Sequence, residues 1–325
     1  MQIKRIYLAV VLIISILFCT TASFANTKTI TVTDVLGRKV VVHEPVKRAV
    51  FLIGYELIPY LGIWNRVVGL SIWAKTHDTF MKKVGAKWLK NIPAVGTATQ
   101  INLEALLDLK PDLIITWNYK PQAVKLLEAL GKKDGFSVIT ISPEGLSSLI
   151  STLRMLGKVF EVEKRTNCII NEMNKIFKTV SLRVSKLKTH RKKAIWLWDS
   201  INRVAGRTGV VPDLMRICGL KNCASSIKEP YPRVSLEKLV LWNPDIIFIW
   251  GNANYGPEKL YNDPRLITLK AIKDRQVFKV PDWSTWSPRA ALVCLWMATK
   301  AYPNLFSKDF FMRMEKEFDS KISYY

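Results

Sequence analysis

The chain has 325 residues, 49% of them hydrophobic and 11 of them Trp, which is enough apolar material for two cores of ordinary size and excludes a disordered polymer. Its formal net charge of +23 favours acidic partners such as anionic ligands or headgroups. The basic residues are spread out, in short clusters such as His190-Arg191-Lys192-Lys193, so they do not form a nucleic-acid footprint.

The first 25 residues read as a secretory leader. Lys4 and Arg5 precede an apolar run from Ile6 to Phe18, and Ser23-Phe24-Ala25 supplies a cleavage site after Ala25. That run is about 13 residues, short of the roughly 20 that span a bilayer. Cys19 raises a lipoprotein reading, but bulky Phe18 stands where lipid attachment needs a small residue. A free periplasmic protein is therefore expected.

Two alternating runs, "TITVT" and "KVVV", flank Asp34-Val35-Leu36-Gly37 and predict a hairpin. Continuous apolar runs follow in "RAVFLIG", "VVGLS", "DLIITW" and "SVITIS", with a helical stretch "QAVKLLEALGKK" between the last two. Strands apolar on both faces alternating with helices predict a parallel sheet in an α/β lobe. This first lobe is expected to span residues 26–160.

Between 161 and 188 the pattern becomes that of one long amphipathic helix. Val162, Ile169, Met173, Ile176, Phe177, Val180, Val184 and Leu187 recur at helical spacing with no Pro or Gly among them. About 27 residues would extend roughly 40 Å. A second α/β series occupies 189–325, with strands "KAIWLW", "DIIFIW" and "QVFKVP". Helices are expected at "VPDLMRICG" and, capped by Ser287 with Pro288 at its first position, at "SPRAALVCLWMATKAYP". The fold class is α/β: two Rossmann-like lobes joined by a single long backbone helix, with a cleft between them.

One stretch occurs twice. "NLEALLDLKPDLIITW" starts at Asn102 and "SLEKLVLWNPDIIFIW" at Ser235, each a capped helix followed by a Pro-Asp turn and a central strand. Stability accounts for the caps and the Leu residues. Glu104 and Glu237 sit in the first helical turn, where a carboxylate gains about 0.3–1 kcal/mol from the helix dipole. Their recurrence on two lobes also suits a two-fold-related partner.

These paired stretches, the opening "VTDVLGRKVVVHEPVKRAVFL" and the close "IKDRQVFKVPDW" with "SPRAALVCLWMA" resemble periplasmic substrate-binding proteins of ABC importers, in the iron-siderophore and vitamin B12 class. The resemblance implies a monomer that holds its ligand between two lobes and delivers it to a permease dimer with its ATPase subunits. It implies no enzymatic activity and no intrinsic cofactor. It also implies that Glu104 and Glu237 pair with Arg residues of the permease.

In open α/β sheets ligands sit at the carboxyl ends of the strands. There the chain offers Tyr55, Trp73, Trp117, Asn118 and Tyr119 from the first lobe. The second lobe offers Trp198, Arg203, Arg207, Trp250, Tyr255, Trp283 and Trp286. Aromatic walls with Arg suit a metal chelate such as a ferric siderophore or haem. Corrinoids and molybdate or tungstate are the alternatives.

A naked metal ion fits poorly, because the chain has only His43, His77 and His190, of which His77 alone is near a cleft loop. No nucleophile elbow, phosphate-binding loop or paired-cysteine redox motif supports a two-lobed α/β enzyme. Cys218 and Cys223 in "CGLKNC" admit either a short disulfide or buried thiols.

Overall fold

The structure is a computed structural model and describes residues 28–142, 144–187 and 191–322; the expected leader, with Cys19, and His190 fall outside them. Among the described residues no helix is long and apolar enough to cross a membrane.

The hairpin pairs β1 (Thr29–Thr33) with β2 (Lys39–His43), Thr29 opposite His43. Asp34 closes its turn by accepting from the backbone N–H groups of Leu36 and Arg38. The same carboxylate accepts from Thr140 N–H, tying the hairpin to the first lobe.

That lobe is a four-stranded parallel sheet of β3 (Ala49–Phe51), β4 (Val67–Leu70), β5 (Leu113–Trp117) and β6 (Ser137–Ile141), in the order β4-β3-β5-β6. The second lobe repeats it with β7 (Lys193–Leu197), β8 (Lys221–Asn222), β9 (Ile246–Ile249) and β10 (Val277–Lys279), in the order β10-β9-β7-β8. Matching β3 to β7 and β5 to β9 makes the two orders identical. Continuous burial of Leu113 to Thr116 and of Ile246 to Ile249 fits strands covered on both faces.

In the first lobe the helices include α1 (Ile72–Thr76), α2 (Thr79–Val84), α3 (Leu103–Asp108), α4 (Pro121–Asp134) and α5 (Leu146–Val159). The connecting helix is α6 (Glu163–Val184). The second lobe contributes α7 (Val210–Ile217), α8 (Leu236–Trp242), α9 (Ala290–Ala301) and α10 (Lys308–Lys321).

The duplicated stretches form α3–β5 and α8–β9. Asn102 Oδ1 accepts from Ala105 N–H at 3.1 Å, and Ser235 Oγ accepts from Lys238 N–H at 3.2 Å, caps worth about 1 kcal/mol each. Repetition of the sheet therefore accounts for repetition of the sequence.

Helix α6 is shorter than the 161–187 pattern suggests. Glu161 takes a left-handed φ of 56° and Val162 a non-helical conformation, so the helix starts at Glu163, and Leu187 lies beyond its end. Its 22 residues span about 33 Å. Ile169, Ile170, Met173, Ile176, Phe177, Val180 and Val184 form its buried stripe.

Each end of α6 is fastened to a different lobe. Arg165 Nε donates to the carbonyl of Tyr60 in the first, and Arg183 donates to that of Leu305 at 2.8 Å in the second while lying over the Phe310 ring. Gly219 has φ 65°, and a Cβ there would come within 2.2 Å of Val184 Cγ1, so this turn needs glycine twice over.

One sequence expectation fails in detail, and one alternative left open by the sequence is decided. The last core helix begins at Ala290, not at Pro288: Ser287 Oγ accepts from Arg289 N–H, forming a turn ahead of the helix. Of the two readings of the cysteine pair, the structure takes the thiol one: no disulfide joins Cys218 to Cys223. Cys218 lies in the main core beside α9, whereas Cys223 packs with the separate apolar cluster of the second lobe. The turn at Gly219 and strand β8 send the two side chains to different layers.

Candidate functional site: the seam between the lobes

Helices α3 and α8 run antiparallel to the strands they precede, so their N-termini lie at the carboxyl ends of the sheets. Glu104 and Glu237 therefore occupy the same end of the molecule as the loops after β3, β5, β7, β9 and β10. Both are exposed. Glu237 is held below the ordinary carboxylate range by its own backbone N–H and the Ser235 hydroxyl, aided by the charge of Arg265.

The lobes meet through aromatic rings. Trp117 ends β5, and its ring lies 5.4 Å from that of Trp286 in an edge-on contact at 66°. Tyr119 stacks on Trp117 at 4.8 Å and is itself 61% exposed, so one face of this cluster is open to solvent. Polar contacts flank it: Asn118 Nδ2 donates to Glu144 Oε1 at 3.2 Å, and Gly209 N–H crosses from the second lobe to the carbonyl of Glu144 at 2.9 Å. Asp213 at the start of α7 accepts from Leu146 N–H at 2.8 Å.

A carboxyl pair lies at the same seam. Glu56, in the turn after β3, hydrogen-bonds to Asp78 and to Ser284 of the opposite lobe. Burial first, and then the neighbouring Asp78, push its carboxyl well above the ordinary range. Asp78 also caps α2 by accepting from Met81 N–H at 2.8 Å. Tyr55 borders the pair, and its phenol is raised by burial and then by the Glu56 and Asp78 charges. A protonated Glu56 can donate one hydrogen bond and accept another, which a buried carboxylate pair could not sustain.

The other residues named from the sequence fall into separate groups. Trp73 is 48% exposed and packs on His77 at 4.3 Å beside the β4 loop. Trp198 and Trp250 meet edge-on at 5.8 Å within the second lobe, where Tyr231 adds a third ring 5.3 Å from Trp198. Tyr255 donates its hydroxyl to the carbonyl of Trp198 at 3.0 Å. Trp283 stacks on Phe311 of α10 at 6.0 Å and lies beneath Arg289.

Arg203 pairs with Asp199 at 3.0 Å, while Arg207 is exposed and has no ion pair among the described residues. Sequence reasoning missed Glu56, Asp78, Glu144 and Ser284. Glu56 had a signal, since it directly follows Tyr55 in the loop after the first core strand. Among the described residues no group of three His, Cys, Asp or Glu is arranged to hold a metal ion.

Residues 49–282 match the periplasmic binding protein family. The chain belongs to it. Its members of this class are the substrate-binding proteins of ABC importers, which work outside the cytoplasm with a permease and an ATPase.

Helicobacter pylori CeuE with Ni(II) bound is 28% identical and superposes with a TM-score of 0.80 over 90% of this chain and 95% of that one. The molybdate-binding protein MolA of Haemophilus influenzae is 25% identical over 300 residues, 85% of each chain. The vitamin B12-binding protein of Salmonella typhimurium is 24% identical over 172 residues, half of this chain and 60% of its own. CeuE thus shares the fold across nearly the whole chain, and the relatives carry names for different ligands.

Proposed function

We propose that this family member captures a metal chelate, an iron siderophore or haem-like ligand, between its lobes and delivers it to a permease dimer. The observation that carries this reading is the Trp117–Trp286 contact, with the exposed Tyr119 ring stacked beside it. Three rings contributed by two lobes give a large, planar or partly apolar ligand surfaces on both sides. The unpaired guanidinium of Arg207 suits its negative groups.

The similarity to MolA favours a second reading, in which an oxyanion such as molybdate or tungstate binds. Backbone N–H groups near Gly209 and the Ser284 hydroxyl would then serve better than the rings. A corrinoid is a third occupant of the same cleft, favoured by the B12-binding relatives. In each case the protein binds without turnover and needs no cofactor of its own.

Titration of intrinsic Trp fluorescence with ferric siderophores, haemin, cobalamin, molybdate and tungstate tests the assignment. Saturable quenching by a ferric chelate that is lost in Trp117→Ala supports it. Binding of molybdate alone, unaffected by Trp117→Ala, overturns it. Export with cleavage after Ala25 goes with the proposal. N-terminal sequencing should then begin at Asn26, whereas a lipid-modified Cys19 would match the Bacillus subtilis relative YvrC, named a lipoprotein.

A further inference from the structure

Cys218 and Cys294 are 76 residues apart in sequence, yet their sulfurs are 3.4 Å apart. Both side chains are fully buried. Cys218 follows the last turn of α7, Cys294 lies within α9, and both helices pack on the connecting helix α6. Two facing thiols in an extracytoplasmic protein meet the first requirements for a disulfide, sulfur proximity and an oxidising compartment.

We propose that Cys218 and Cys294 are joined by a disulfide in the exported protein, fastening α7 to α9 beneath the second lobe. The thiolate of one cysteine attacks the disulfide of an extracytoplasmic protein thiol oxidant, giving a mixed disulfide and releasing one thiolate of that oxidant. The second cysteine thiolate then displaces the remaining sulfur. The S–S bond forms, two protons are lost, and the two electrons leave as the reduced dithiol of the oxidant.

The order of events follows from burial. In the folded chain neither thiol is open to a protein oxidant, and Cys294 is a poor thiolate because burial first, then the neighbouring Cys218, raises it well above the ordinary thiol range. Exchange therefore takes place before α7 and α9 close over the pair. Once formed, the bond is shielded from reductants for the same reason.

Cys223 and Cys168 stay outside the bridge. Cys223 packs with the other apolar cluster, and its own thiol is pushed up to about 11, chiefly by burial. Cys168 is exposed on α6.

The test uses the full chain exported with its own leader and purified from the extracytoplasmic fraction without reductant. Free thiols are alkylated under acidic denaturing conditions, and peptides are mapped without reduction. A linked peptide joining Cys218 to Cys294, with Cys168 and Cys223 alkylated, is expected. Strong reductant in mild denaturant should then lower the Tm of the wild type toward that of Cys294→Ala, and leave the Tm of that variant unchanged. Alkylation of both Cys218 and Cys294 in the exported protein, or a linkage of Cys218 to Cys223, overturns the proposal. The mapping needs no variant, so a poorly folding Cys294→Ala does not weaken it.

Discussion

Trp117, at the end of β5, touches Trp286 of the opposite lobe edge to face, with ring centroids 5.4 Å apart. The contact makes these two indoles the direct aromatic bridge between the carboxyl ends of two sheets. A ligand held between the lobes must pass or displace it. Trp117→Ala and Trp286→Ala should each raise the Kd for a ferric chelate by ten- to a hundredfold, about 1–3 kcal/mol. Arg207→Ala should give a smaller loss for anionic chelates. All three lie at strand ends and loops, so melting temperatures should stay close to wild type. Calorimetric titration of the variants checks this, and unchanged affinity in all three would remove the seam as the binding site.

Glu56 supplies a pH-dependent signature. Its folded carboxyl is held well above the ordinary carboxylate range by burial and by the neighbouring Asp78, so the folded state retains a proton that the unfolded chain releases. Stability from this group is present in acid and is lost as pH rises from the ordinary carboxylate range toward the raised value. Glu56→Gln keeps a neutral hydrogen-bonding group and removes the titration. The Tm of the variant relative to wild type should therefore increase as pH is raised above the ordinary carboxylate range. Parallel melting curves across that range would show that Glu56 titrates normally.

Helix α6 predicts limited closure. Arg165 ties it to the first lobe through the Tyr60 carbonyl, and Arg183 ties it to the second through that of Leu305 and the Phe310 ring. A continuous buried stripe leaves no hinge between those anchors. Small-angle scattering with and without ligand should differ in radius of gyration by no more than about 1 Å, since hinge closure needs flexible terminal residues. A larger contraction would mean that α6 bends or that its anchors slide.

Tight helix contact gives a stability test. Gly157 of α5 faces Thr166 of α6 so closely that a Cβ would lie 2.3 Å from the Thr hydroxyl. Gly157→Ala should cost about 1–3 kcal/mol through overpacking. The paired variant with Thr166→Ala should recover part of the loss. Chemical denaturation of the single and double variants measures the coupling.

The strands were legible because a parallel sheet buried on both faces demands continuous apolar runs, and "DLIITW" and "DIIFIW" supply them at matching places. The caps Asn102 and Ser235 were legible because each acts on its own next turn. What stayed hidden depends on residues far apart in sequence. Nothing local to Glu56 shows that Asp78 and Ser284 will enclose it, and nothing local to Cys218 distinguishes Cys294 from the nearer Cys223. The ends of α6 were misread because Val162 and Leu187 continue the apolar period while the left-handed Glu161 breaks the helix. Periodicity likewise could not separate Trp117 and Trp286, which meet across the seam, from Trp283, which packs against Phe311 on α10.

The duplicated stretch yields the last test. α3 and α8 place Glu104 and Glu237 on exposed first turns at the carboxyl ends of equivalent strands, one per lobe, at the same end of the molecule as the seam between the lobes. Exposed ion pairs contribute only about 0–1 kcal/mol, and truncating one partner of a pair that docking has buried costs about 2–5 kcal/mol. If the two carboxylates meet guanidinium groups of the permease on docking, replacing either by a guanidinium goes further, because it sets like charges against each other at that interface. Glu104→Arg and Glu237→Arg should each abolish ligand uptake by cells while leaving the Kd and Tm of the isolated protein near wild type. Loss of the helix-dipole contribution alone would lower Tm slightly and leave uptake intact. Restoration of uptake by an Arg→Glu change in the permease would tie the two charges together. Transport that survives either reversal, or a Kd that worsens in step with uptake, would mean that the repetition serves the fold alone.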